Sequence, residues 1–239
     1  EHLISASDHW RSVHHLSNQD LVDLIKRDSI DILVDLSGHT AKHRLLVFAQ
    51  KPAPIQVTWL GYPDTTGLSA VDYRFTDSIA DPAGIADSLH SEKLIRLPKG
   101  FLCYKGDSKV FSNGILPKVK QGYTTFGSFN NMLKVTPQVI KVWAKILRKI
   151  PNSKLILKSN QLNCRSEYYL NLFMQEGIVQ DRLEFHGKLP NFEDHLKLYN
   201  SIDLCLDPFP YNGATTTCES LWMGVPVITL IGDRHVSRV

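Results

Sequence analysis

Apolar residues recur along this chain in two rhythms, and the alternation between them predicts a parallel α/β protein. Residues 16 to 28 (LSNQDLVDLIKRD) place Leu21, Leu24 and Ile25 on one helical face behind Ser17, with Asp20 three positions later as an acidic variant of the capping box. Ile30 to Leu36 then forms a continuous apolar run that ends in Ser37, Gly38, His39 and Thr40, the pattern of a buried strand meeting a turn. A helix over Ala41 to Gln50 is predicted, stopped by Lys51, Pro52, Ala53 and Pro54. Strands follow at Ile55 to Leu60, Tyr73 to Thr76 and Lys93 to Leu97.

From Gly106 to Gly122 no period is sustained, and glycine, proline, serine and lysine dominate. That break predicts a first domain over 1–110, a linker over 111–122 and a second domain over 123–239. The second domain reads as strand Thr124 to Phe129, then helix Thr136 to Ile150 with Val139, Val142, Trp143, Ile146 and Leu147 facing inward. Strand Leu155 to Leu157, helix Arg165 to Glu176, strand Leu183 to His186 and helix Phe192 to Tyr199 come next. The run closes on strand Leu204 to Leu206, a helix opened by Thr215, Thr216 and Thr217, and strand Val225 to Leu230. Five strands alternating with helices make a Rossmann-like nucleotide-binding domain, and the first half reads as the truncated remainder of another.

Composition narrows the class. Over 239 residues, hydrophobic residues at 43% and charged residues at 21% describe a globular protein with material for real cores. A net charge of +3 with dispersed lysines does not argue for nucleic acid. The four cysteines, Cys103, Cys164, Cys205 and Cys218, lie too far apart for a zinc site, so free thiols in a reducing compartment are expected, and no apolar run is long enough to span a membrane. The cytoplasm is the simplest expected location. The chain starts at Glu1 without an initiator methionine and stops soon after a loop begins, as a piece of something larger would.

Three loops of the second domain fall at the carboxyl edge of its sheet, where open α/β sheets bind ligands. The first carries Asn130, Asn131 and Lys134, a cation with two amides. The second carries Leu189, Pro190 and, in the following helical turn, His195. The third carries Asn212 and Gly213 before Thr215 and Thr216, where free N–H groups and the helix dipole favour an anion such as a diphosphate; Glu219 lies one turn further in, placed for ribose hydroxyls. Threonine at a helix start is also an ordinary cap, and a lysine beside loop asparagines is also an ordinary surface feature, so each loop alone leaves both readings open.

Together the loops carry a resemblance. SFNNMLK, FHGKLPNFEDH and CLDPFPYNGATTTCESLWMGVPVITL resemble the catalytic region of the O-linked N-acetylglucosamine transferases, including their bacterial and SPINDLY-like relatives. DILVDLSGHTA and RLLVFAQKPAPIQVTWLGYPDTTG look like the neighbouring domain of the same family. The resemblance implies a GT-B fold of two Rossmann-like domains, with the first truncated at its N-terminus. It implies Lys134 on the donor diphosphate, His195 near the uridine, Leu189 and Pro190 meeting uracil through backbone atoms, and Thr215 and Thr216 at the phosphate-binding helix start. Glu219 matches an acidic residue on the ribose, and Leu60, Gly61 and Pro63 match a loop of the first domain that faces the sugar. Asn131 stands where animal members have glutamine.

The implied reaction is an inverting transfer of N-acetylglucosamine from UDP-GlcNAc to serine and threonine hydroxyls of a protein acceptor, with no cofactor beyond that donor. No D-x-D string occurs, which fits a site where lysine and helix dipole stand in for a metal. The upstream strand with a His-Pro segment and the tetratricopeptide repeats expected in a full-length chain have no counterpart here, so weak nucleotide binding and little transfer are expected of the fragment alone. GDP-fucose or UDP-glucose as donor, and a non-catalytic module that keeps the fold, are the alternatives.

Overall fold

Two separate parallel sheets carry the chain. The computed structural model describes residues 2–112 and 114–239; Glu1, and Asn113 within the expected linker, lie outside them. Its contacts divide the chain into units Glu1–Leu102 and Cys103–Val239.

In the first unit α1 (His2–Ser5) and α2 (Asn18–Arg27) precede β1 (Ile32–Asp35), α3 (Leu45–Phe48), β2 (Ile55–Thr58), β3 (Tyr73–Thr76) and β4 (Lys93–Arg96). The four strands pair in the order β1-β2-β3-β4, all parallel, with Ile32 opposite Ile55 and Tyr73 opposite Lys93. The Ser17 hydroxyl accepts from Asp20 N–H at 3.1 Å, as the capping pattern predicted. Leu21, Val22 and Ile25 then turn inward against Val47 and Ala53. Two expectations need correction. Strand β1 is an edge strand with Ile32, Val34 and Leu36 exposed, because it pairs with β2 alone. The helix expected from Ala41 is reduced to Leu45–Phe48. Lys42 sits at φ 63°, and the Arg44 guanidinium is tied to Asn18 Oδ1 and to the carbonyls of Val13 and Leu16, which holds that segment as turns.

The second unit holds α4 (Pro117–Gln121), β5 (Thr125–Ser128), α5 (Pro137–Lys149), β6 (Lys154–Lys158), α6 (Leu162–Gln175), β7 (Leu183–His186), α7 (Phe192–Leu198), β8 (Leu204–Leu206), α8 (Thr215–Trp222) and β9 (Val227–Ile228). Its sheet runs β7-β6-β5-β8-β9, all parallel, so the completely buried β5 lies at the centre and its carboxyl end opens beside those of β6 and β8. A Cβ on Gly127 of β5 would come within 2.5 Å of the Ile202 side chain, so glycine is what lets that isoleucine pack on the central strand. One face is covered by α5 and α6 through Val139, Trp143, Leu147, Tyr169 and Phe173, the other by Leu196, Tyr199, Ile202 and Met223. Thr136 caps α5, accepting from Val139 N–H at 3.4 Å, and Pro137 opens it. Val142, expected inward, is exposed; Ile140 and Ala144 take the buried stripe with Trp143.

The stretch 111–122, expected as a linker, is fastened to the second unit. Asp203 accepts from Lys118 N–H and from Thr125 N–H, both at 2.8 Å, and Val110 is buried among Phe129, Tyr199 and Ile202. Strand β9 is shorter than Val225 to Leu230, because Thr229 and Leu230 are drawn into bonds with Asp207 and Asn212.

Candidate functional site

The carboxyl ends of β5 and β8 lie side by side, and the loops that leave them are joined through one buried carboxylate. Asp207, directly after β8, accepts from Gly213 N–H at 2.8 Å, from the Thr229 hydroxyl at 2.8 Å and from Asn130 Nδ2 at 3.4 Å. Burial pushes its pKa up while these donors and the Lys134 charge pull it back, leaving it above the ordinary aspartate value. Asn130 passes the connection on, since its Oδ1 accepts from the Thr216 hydroxyl at 2.9 Å. The loop after β5 is thereby locked to the first turn of α8. Gly213 sits where the chain is most crowded: a Cβ there would lie 2.6 Å from Thr216 Oγ1 and 2.9 Å from Asp207 Oδ1.

Lys134 closes a turn that follows Asn131, whose Oδ1 accepts from Leu133 N–H at 2.9 Å. Its ammonium donates to Asn212 O at 2.7 Å and lies 3.9 Å from the centre of the Tyr211 ring. Burial lowers its pKa, and the charge of Asp207 opposes that shift. Asn212 is itself fixed from Nδ2 to the Thr229 hydroxyl at 2.9 Å, and its buried Oδ1 has no hydrogen-bond partner among the described residues. A half-buried cation therefore stands against the loop that opens α8.

The start of α8 answers the question the threonines posed. No side chain caps it: Thr216 turns its hydroxyl to Asn130, and Thr217 donates to Gly213 O at 3.1 Å. The capping reading thus fails, and the N-terminal N–H groups keep the positive partial charge of an uncapped helix.

His195 and Glu219 form the second half of the cluster. Asn191 caps α7, accepting from Asp194 N–H at 2.8 Å, and α7 carries His195 inward, so it is not a surface histidine. Its Nε2 pairs with Glu219 Oε2 at 2.9 Å. The Tyr199 hydroxyl approaches the same oxygen at 3.3 Å and the Thr216 carbonyl at 3.2 Å, while the Phe129 ring packs on both His195 and Tyr199. Of the two histidine nitrogens, Nδ1 is buried without a hydrogen-bond partner among the described residues.

The structure thus brings Asn130, Lys134, Asn212, Gly213, Thr216, His195 and Glu219 into one bonded cluster, with Thr215 exposed at its edge. Asn131 is held by Gln161 Nε2 at 2.9 Å. Leu189 is half-buried and Pro190 exposed in the loop before α7. Leu60, Gly61 and Pro63 belong to the other unit, after β2. There Leu60 takes φ 70°, and a Cβ on Gly61 would collide with Leu36 O at 2.0 Å, so that turn is closed by direct backbone approach. Sequence reading gave Tyr199 and Asp207 no part in the site. The LCLDP string, a carboxylate ending an apolar run, was the available signal for Asp207.

Comparison with known proteins adds relatives to this geometry. The family model described as Glycosyl transferase family 41 matches residues 1–120 and 116–239. A "Probable UDP-N-acetylglucosamine--peptide N-acetylglucosaminyltransferase SPINDLY" of Oryza sativa subsp. japonica is 44% identical over 232 residues, which cover 96% of this chain and 25% of the relative. The protein of the same description from Arabidopsis thaliana is also 44% identical over 232 residues, with the same shares of the two chains. Among solved structures, a mutant O-GlcNAc transferase of Thermobaculum terrenum superposes with a TM-score of 0.92 at 40% identity, covering 99% of this chain and 45% of that one. The chain spans about a quarter of the length of the curated relatives it matches.

Proposed function

The chain belongs to glycosyl transferase family 41, and from that premise we propose that it is the catalytic part of an enzyme that moves N-acetylglucosamine from UDP-GlcNAc to serine and threonine hydroxyls of proteins. What the named relatives are described as doing supports the donor and the acceptor class. The observation that carries the reading is the meeting of Lys134 with the loop that leads into the uncapped start of α8.

Transfer with inversion asks little covalent work of the protein. The anomeric carbon has to be held near the acceptor hydroxyl, and the negative charge that grows on departing UDP has to be stabilised. In this reading the Lys134 ammonium and the N–H groups of α8 take the diphosphate, which makes the reaction metal-independent. Asn130 and Asp207 hold the two loops at a fixed separation, and Lys134 exchanges the neutral Asn212 carbonyl for a charged phosphate oxygen. His195 and Glu219 take the nucleoside end, and Asn131, Leu189 and Pro190 border it. A protein acceptor, and tetratricopeptide repeats elsewhere in the full-length protein, complete the proposal.

The test is transfer of labelled sugar to acceptor protein by the full-length enzyme, with UDP-GlcNAc, UDP-glucose and GDP-fucose compared. The expected result is preferred use of UDP-GlcNAc and a loss of about 10²- to 10³-fold in kcat for Lys134→Ala, the scale of removing one donor from a developing anion. Equal label uptake by wild type and variant would end the assignment.

A further inference from the structure

The loop that leaves β8 for α8 holds Lys134 with two consecutive residues. The Asn212 carbonyl takes one ammonium proton at 2.7 Å, and the Tyr211 ring lies against the same group, its centre 3.9 Å from Nζ. That separation is well inside the range over which the negative face of an aromatic ring attracts a cation. An ammonium has three donors, and the loop spends only one of them in a hydrogen bond. Lys134 forms no ion pair among the described residues.

This choice of partners matters for an anion. A carboxylate in contact with Lys134 would neutralise it and compete with a diphosphate for its protons. A ring face and a neutral carbonyl fix the group in place and leave its charge uncompensated. Asp207 is the charged group that acts on Lys134, from outside ion-pair contact, and its attraction offsets only part of the burial that lowers the lysine's pKa. The ring therefore favours the charged form where burial disfavours it.

Tyr211 itself belongs to no core. It is 44% exposed, in a loop whose anchors are its neighbours: Asn212 Nδ2 on the Thr229 hydroxyl, Asn212 N–H on Val236 O, and Gly213 N–H on Asp207. An aromatic ring left at the surface against a half-buried cation is explained by what it faces, not by packing.

We propose that Tyr211 is a positioning residue whose ring face keeps the Lys134 ammonium charged and aimed at the start of α8. The inference rests on the reading of Lys134 as the group that meets the donor diphosphate, and adds the residue that holds it there.

Steady-state transfer by the full-length enzyme, followed from neutral to alkaline pH, tests it with wild type, Tyr211→Phe, Tyr211→Leu, and Tyr211→Leu combined with Lys134→Ala. Tyr211→Leu is expected to lower kcat/KM for UDP-GlcNAc about tenfold, the scale of a partly desolvated cation–π contact. The alkaline limb of its profile is expected to move to lower pH, because the ammonium of the free enzyme loses a partner that favours its charged form. Tyr211→Phe keeps the ring face and cannot ionise, so it is expected to retain both the rate and the limb of wild type. Added to Lys134→Ala, Tyr211→Leu is expected to cost nothing further, as befits a residue that acts through the lysine. Tyr211→Leu that matches wild type overturns the inference, as does a loss with the limb unmoved, an equal loss in Tyr211→Phe, or a further loss in the double variant. Lys134→Ala as active as wild type overturns instead the reading on which the inference rests.

Discussion

At the scale of single residues, Asp207 and Gly213 set the tolerance of the site. The carboxylate takes the Gly213 N–H from one side and Asn130 from the other, so the loop before α8 has no slack in which to move. Gly213→Ala therefore pushes a methyl group onto Thr216 Oγ1 and Asp207 Oδ1, both nearer than 3.0 Å to the added carbon. Displacing the start of α8 by a fraction of an ångström is expected to lower kcat/KM by about 10²-fold. Steady-state kinetics beside a thermal melt check it, and kinetics unchanged from wild type would mean that the loop gives way freely. The lysine, asparagines and threonines of the cluster were legible because each follows an apolar run that ends at one sheet edge. Tyr199 hid among the apolar positions of its helix, because only the fold shows its hydroxyl reaching Glu219.

At the scale of elements, capping decided where helices begin and packing decided how long strands run. Ser17, Thr136 and Asn191 each accept a first-turn N–H. Asn191 holds the end of α7 that presents His195 to Glu219, so Asn191→Ala is expected to cost about 1 kcal/mol, read as a shift of the denaturant midpoint at constant slope. An unchanged midpoint would show that the cap is replaced by water. Alternation of apolar runs with amphipathic helices was enough to foresee both parallel sheets and most elements. It misjudged the stretches where side chains compete for the backbone: Arg44 unravels the start of the expected helix, and Asp207 and Asn212 take Thr229 and Leu230 out of the last strand. Burial of β1 was misjudged for a different reason, because periodicity reports apolar content and not whether a strand has one neighbour or two.

At the scale of the whole molecule, the two units answer acid differently. In the first, burial alone would raise Glu92, but the hydroxyls of Thr66 and Thr65 and the Thr66 N–H outweigh it and hold the carboxyl below its ordinary 4.5. Asp72 is likewise lowered, with burial outweighed by Lys51 and the Gln56 N–H. A carboxylate whose folded pKa is depressed adds stability that is present above its unfolded pKa and lost as pH falls through the folded one. In the second unit Asp207 is raised, so its contribution changes in the opposite direction, growing as pH falls through the raised value. Acidification below about pH 4.5 is therefore expected to melt the first unit ahead of the second, and Glu92→Gln to flatten the acid limb of the first transition. Calorimetric scans across that range check it; transitions that move together would contradict it.

The buried Arg74 of β3, which donates to the carbonyls of Tyr62 and Asp64, leads to a last consequence. The apolar cluster of the first unit, Leu21, Val22, Ile25, Val47 and Ala53, holds no ring, whereas Trp143, Phe173 and Tyr199 fill the second. The core of the first unit thus holds a guanidinium bound to carbonyls, and that of the second a set of packed rings. Drift in sequence will be policed accordingly: trading Arg74 for an apolar residue orphans the carbonyls of Tyr62 and Asp64, and shrinking Trp143 leaves a void.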